Sequence, residues 1–298
     1  NAILSAAGDT KRPLYYLAFA GIVNVILNLF FVIVCHLGVA GVALASMISQ
    51  FISAFLILRA LLTGKEKYCL RLSEIRFDKR KAAGILKIGI PSAFQYSLFA
   101  FANLFVQSSV NSFDHVLVEG NSAAANADPL VYDMMAAFYT ACSSFIAQNF
   151  GARKKKRILQ TYLICLFYSF ITSLVLGVGI YLARYPFLYL FTSDKAVVEA
   201  GITRLSIMAL SYSASAFMDA SIAASRGLGK TAVPTFVVVM GSCVFRIIWI
   251  YTIFAYFHTI QSLYILYVFS WGITAIAENI YFFHVYRHTL TGKTESHF

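Results

Sequence analysis

Eight long runs of apolar residues follow one another with only short connections between them, and each reaches the ~20 residues needed to cross a ~30 Å hydrocarbon core. They are Pro13–His36, Val42–Leu62, Gly84–Phe113, Pro129–Phe150, Ile158–Ala183, Ala196–Ser225, Pro234–Phe257 and Leu263–Tyr286. Inside lipid a backbone must satisfy its own hydrogen bonds, and runs of this length do so as helices. The sequence therefore predicts an all-α integral membrane protein with about eight transmembrane helices. Charged residues make up 12% of the chain, against about 25% in a soluble domain, so little polar surface is on offer. The connections are too short for a soluble catalytic domain, and no enzyme is expected.

A net charge of +11 would suit a nucleic-acid binder, but its placement argues against one. Twenty of the 24 basic residues fall before the first run or on alternate connections: Lys11 and Arg12, the stretch from Arg59 to Lys87, Arg153 to Arg157, Arg226 with Lys230, and Arg287 with Lys293. The opposite side has Arg184, Lys195 and Arg204, and Arg246 lies within a run. This is the positive-inside pattern. It predicts a multi-pass protein of the inner (cytoplasmic) membrane with residue 1, the loops near 63–82, 151–157 and 226–233, and the C-terminus all in the cytoplasm.

The five cysteines show no CxxC spacing, which leaves no metal or disulfide framework to expect. The residues Gly227-Leu228-Gly229-Lys230-Thr231 imitate the end of a phosphate loop, but Ala224 stands where that motif needs Gly, and the segment joins two membrane runs. A more telling pattern is G-x-T-x-x-P, found at Gly8–Pro13 and again at Gly229–Pro234. Gly ends one helix, and Pro is tolerated in the first turn of the next. Each copy is followed by two runs. If the repeat unit has six helices, residues 84–298 hold a complete unit, residues 1–62 hold the last two helices of an incomplete one, and residues 63–83 link them. Repeated bundles with a site at their interface are a transporter architecture.

Three motifs then resemble one family. Ala147-Gln148-Asn149-Phe150-Gly151-Ala152 with the basic run to Arg157 looks like the QNxGAxxxxR loop of multidrug and toxic compound extrusion (MATE) transporters. Lys87-Ile88-Gly89-Ile90-Pro91-Ser92 resembles the start of that family's seventh helix, and Gly38-Val39-Ala40-Gly41-Val42-Ala43-Leu44-Ala45-Ser46 its turn between helices five and six. The resemblance covers essentially the whole chain and implies helices five to twelve of a twelve-helix, two-lobe antiporter, monomeric at full length, without its first four helices. It implies efflux of small amphiphilic, cationic substrates in exchange for H⁺ or Na⁺, with no cofactor beyond that ion. Two departures stand out. Ser5 occupies a place where the family usually has Arg, kept as Arg226 in the second copy. Phe99 occupies a place where one subgroup has a carboxylate.

Polar residues inside the runs are the candidate site. Gln95, Asn103, Gln107 and Asn111 recur at helical spacing and share roughly one face. Amides do not face lipid, so this face lines a cavity or bonds a neighbouring helix. Asp219, Arg246 and Glu278 lie ~10, ~18 and ~13 Å inside their spans at 1.5 Å per residue. A lone charge there costs at least ~2.5 kcal/mol, which predicts an Arg246–Glu278 pair and leaves Asp219 either as the cation- or proton-coupling candidate or as a partner in a structural hydrogen bond. Glu119, Asp128 and Asp133 form either an acidic mouth or a solvated outer loop. The aromatics Tyr181, Tyr185, Phe187, Tyr189, Tyr256, Tyr264 and Tyr267 read as an interfacial belt. The run Arg153–Arg157 reads as a topology anchor or a lipid-headgroup site. A flippase for lipid-linked sugars shares the helix count, and a row of cations inside the cavity would distinguish it.

The charge pattern makes a direct prediction. Cysteines placed at Lys155 and Lys230 react only with cytoplasm-accessible reagents, and one at Lys195 only with external reagents. Labelling of the Lys155 and Lys195 positions from the same side would show the order of spans to be wrong.

Overall fold

The structure, a computed structural model, describes residues 2–63, 69–71, 73 and 75–289. Among them eight helices are long and apolar enough to cross a membrane: α1 (Lys11–Val34), α2 (Gly38–Thr63), α3 (Lys79–Val110), α4 (His115–Gly151), α5 (Lys155–Leu182), α6 (Lys195–Gly227), α7 (Ala232–Phe257) and α8 (Ile260–His288). No strand occurs among the described residues. Two short helices, Ala2–Ala6 and Arg184–Tyr189, precede α1 and follow α5. Residues 64–68, 72 and 74 of the expected 63–83 link, and Lys293 of the charge pattern, lie outside the described residues.

The chain forms two compact units, residues 1–79 and 80–298. In the first, α1 and α2 pack as a hairpin, with Leu4, Ile57 and Leu61 at its core. Asn24 donates to Ser49 Oγ at 3.3 Å, a bond that ties the two helices. In the second unit α6 is central: 67% of its most apolar stretch is buried, against 11% for α3. It packs on α4, α5 and α8. Its sequence explains why. Ser211, Ser215, Ala216, Ala220, Ser221, Ala223 and Ala224 are all buried, and small side chains let backbones approach. A side chain at Gly177 of α5 would run into the Ala209 carbonyl of α6, and one at Gly227 would meet the Ser143 carbonyl of α4 at 2.8 Å. The outward faces of the unit are apolar and exposed, as at Leu163, Phe167, Ile276 and Ile280. Acyl chains rather than water suit that surface.

The repeated G-x-T-x-x-P motif folds into the same turn twice. Gly8 and Gly229 have φ of +88° and +75°. In the first copy Asp9 N–H reaches Leu4 O at 2.9 Å and Gly8 N–H reaches Ser5 O at 3.0 Å; in the second, Lys230 reaches Ser225 at 3.0 Å and Gly229 reaches Arg226 at 2.8 Å. Both end a helix by bonding its last free carbonyls. Arg153, at φ +54°, closes α4 with the same pattern without glycine. Just after it, Lys155 Nζ donates to Arg287 O at 2.9 Å and lies 5.3 Å from the Tyr286 ring centre. A cation there complements the C-terminal end of α8.

Two boundaries differ from the sequence expectation. α3 begins at Lys79, inside the expected 63–83 connection. α4 begins at His115, well before Pro129, because Asp114 caps it by accepting from Leu117 N–H at 2.9 Å. The helix breaks at Asn126, whose Nδ2 bonds the Ser122 and Ala123 carbonyls at 3.1 Å, and it resumes at Ala127. Glu119, Asn121 and Asp128 dilute the hydropathy of this stretch and hide it from a sequence reading. α7 carries two π-helical segments, Val239–Val244 and Ile250–Phe254, on either side of Phe245–Trp249.

The close approach of α5 to α6 gives a stability test. Gly177→Leu is expected to lower stability by about 3 kcal/mol, the upper range for overpacking, because the obstacle is backbone. Gly179→Leu, where an added Cβ meets nothing within 4 Å, serves as the neutral control. Thermal unfolding of both variants in one detergent checks it.

Candidate functional site

The second unit holds a half-open cavity of about 780 Å³. α3 forms one wall with Gln95, Phe99, Asn103, Val106 and Gln107. α4, α6, α7 and α8 form the rest, with Tyr132, Tyr139, Asp219, Tyr267 and Trp271 among the lining groups. Three of the four sequence-predicted amides line it. Asn111 does not; it accepts a bond from Gln107 Nε2 at 2.9 Å on the same helix.

Three arginines also line this space, and each is held differently. Arg204 of α6 is buried, donating to Asn121 Oδ1 and Asp128 Oδ2, both at 2.6 Å. Asp128 also accepts from the Tyr212 hydroxyl. Arg226, at the end of α6, donates to the Tyr139 hydroxyl at 2.6 Å and to Gln95 Oε1 at 2.8 Å. Arg246 of α7 is fully buried. Its Nε donates to Ser270 Oγ at 3.3 Å and its Nη1 to Asn103 Oδ1 at 2.8 Å, while Phe99 and Tyr267 cover it at 4.8 and 4.5 Å from their ring centres. Gln95 and Asn103 thus line the cavity and also bond neighbouring helices. α3 makes few close backbone approaches to the other helices, so these two arginine bonds span the gap.

The expected Arg246–Glu278 pair does not form. Arg246 meets α8 at Ser270, eight residues or ~12 Å along the axis from Glu278. Both Glu278 carboxyl oxygens are buried with no hydrogen-bond partner among the described residues. Assigning Glu278 to an ion pair, as the sequence invites, conceals it as an unpartnered carboxyl. Asp219 lines the cavity half-buried, and no described side chain donates to it. Arg226 is the cation whose field reaches both carboxyls.

Other expectations change with these contacts. Glu119, Asp128 and Asp133 do not form a shared mouth: Asp128 serves Arg204, Glu119 lies 3.6 Å from His115, and Asp133 is exposed. Arg204 leaves the set of outer-loop cations for the interior, which sharpens the charge asymmetry. Tyr264 and Tyr267 line the cavity rather than an interfacial belt, since α8 turns that face inward toward Arg204 and Arg246.

The MatE family pattern matches residues 91–252, more than half of the chain and most of the cavity wall. The chain belongs to the MatE family. It is 32% identical over 159 residues to the probable multidrug resistance protein YpnP of Bacillus subtilis (strain 168), covering 53% of this chain and 35% of that protein. It is 24% identical over 243 residues to the probable multidrug resistance protein NorM of Thermotoga maritima, covering 78% and 51%. A structure described as the outward-facing conformation of a multidrug resistance MATE family transporter superposes with a TM-score of 0.86 at 20% identity, over 95% of this chain and 64% of that one. This MatE chain therefore spans between about a third and two thirds of the length of the proteins it matches.

Within the MatE bundle the Arg204–Asp128 contact joins a buried guanidinium to a half-buried carboxylate. Removing one partner strands a buried charge. Asp128→Ala is expected to cost about 3–5 kcal/mol, while Arg204→Leu combined with Asp128→Leu costs far less. Denaturant unfolding of the single and double variants measures the difference.

Proposed function

We propose that this MatE chain belongs to a secondary active exporter of bulky amphiphiles, driven by inward movement of H⁺ or Na⁺ and seated in the cytoplasmic membrane with its C-terminus inside. The observation that carries this reading is the cavity within the bundle, with the unpartnered carboxyl of Asp219 on its wall. Its size is that of a drug-sized ligand site. The multidrug resistance names of the relatives support the same class of cargo.

Asp219 serves as the coupling group. Protonation or cation binding changes its charge, and a charge change in a water-poor site alters which packing of the helices is favoured. Arg226 places a cation near Asp219, and its bonds to Gln95 and Tyr139 connect α6 with α3 and α4. The state of Asp219 therefore bears on bonds that position the α3 wall. Gln95, Asn103 and Gln107 supply neutral polar contacts for cargo along that wall. Aromatic side chains from α4 and α8 supply the apolar surface.

Asp219→Asn in the complete transporter is expected to abolish gradient-driven export in whole cells while membrane abundance stays near normal. Export that persists with unchanged pH dependence would assign Asp219 a structural role only.

A further inference from the structure

Besides tyrosines, the ionisable groups that line the cavity are three guanidiniums, Arg204, Arg226 and Arg246, against two carboxylates, Asp128 and Asp219. Asp128 is taken by Arg204 at 2.6 Å. Arg246 is the unusual member. It is fully buried, its bonded acceptors are an amide oxygen and a hydroxyl, and its Nη2 has no partner among the described residues. A buried cation without an anion is costly, and truncating the partner of such a charge shows how strongly it seeks one. Phe99 and Tyr267 lie against the guanidinium and its Nη2 is covered as well, so a counter-ion reaches the edge only where the Asn103 amide gives way. At that edge sits the Asn103 amide, on the α3 wall.

We propose that this cavity holds an organic anion, an aromatic body with a terminal carboxylate or phosphate, whose oxygens take the Nη1–Nη2 edge of Arg246 in place of the Asn103 amide. The planar fork of arginine matches two oxygens of either group. Aromatic walls, among them Tyr132, Tyr139 and Trp271, suit a flat cargo. The proposal names the cargo class of the transport reading above and rests on it, and it reverses the cationic cargo that the family resemblance implies. The anion is shared chemistry: it is carried either by a free solute or by a lipid headgroup.

Equilibrium dialysis of the purified chain in detergent tests it without any gradient, so its outcome is separate from the export result for Asp219→Asn. Fluorescein and rhodamine 6G are dyes of similar size and opposite charge. Fluorescein is expected to bind at least about tenfold tighter, and that ratio to fall about tenfold in Arg246→Gln, the scale of a lost charged contact. Arg246→Lys keeps the charge without the fork and is expected to fall between them. Equal binding, tighter rhodamine 6G, or a ratio unchanged by Arg246→Gln would overturn the proposal. If Arg246→Gln does not fold, the wild-type chain decides through 4-methylumbelliferyl phosphate and neutral 4-methylumbelliferone: preference for the phosphate supports the anion site, and equal affinity ends it. Displacement of fluorescein by phosphatidylglycerol but not phosphatidylcholine identifies a lipid headgroup as the source; displacement by neither identifies a free solute.

Discussion

A guanidinium taken into a membrane bundle needs acceptors supplied by protein, since lipid offers none, and that need arranges the second unit. Arg204 draws the break in α4 onto α6 through Asn121 and Asp128. Arg226 and Arg246 reach from α6 and α7 to Gln95 and Asn103 on α3. Each bond is modest by itself, but a buried donor left unmet costs more than a made bond returns. Helices that carry such groups are therefore constrained to stand where the acceptors are, and the space between those helices becomes the cavity.

Close packing does the opposite work on the other side of α6. Serines, alanines and glycines bring α4, α5 and α8 into contact with it. Ser211 and Ser221 donate to carbonyls one turn back and Ser221 also meets the Tyr162 hydroxyl at 3.0 Å, while Ser225 Oγ is buried with no partner among the described residues. One helix thus has a tight, dry side and a polar side that faces the cavity. Asp219 and Met218 line the cavity, and the next residue, Ala220, belongs to the buried core, so a single residue step along α6 separates the two environments.

Most of the helix order was legible because hydropathy over twenty residues is a strong signal. The motif Gly229–Pro234 was legible down to its backbone, because only a few turns end one helix and start another within six residues. The early start of α4 was hidden by polar residues whose partners lie some eighty positions away in the sequence. The inward-turned Tyr264 and Tyr267 were hidden for a similar reason, since depth along a helix does not tell which way a ring faces. Arg246 shows a further limit. It follows a π-helical segment, which alters the register of α7, so a helical wheel drawn from Pro234 misplaces its side chain. Nearness in helix order suggested Glu278 as its partner; the actual partners, Asn103 and Ser270, required the folded bundle.

The way α3 is attached has a mechanical meaning. Near its far end Val106 and Val110 are embedded among Trp249, Phe254 and Leu263. Along the rest of its length two polar ties and the packing of Phe99 join it to the unit, and not a seam of interlocked small residues. Shifting that length by an ångström exchanges hydrogen-bond partners, whereas sliding α5 past α6 would lift Gly177 from its seat against backbone. The unit is stiff on three sides and compliant on the fourth, like a box with one sprung panel, and the sprung panel is the one that bears Gln95, Asn103 and Gln107.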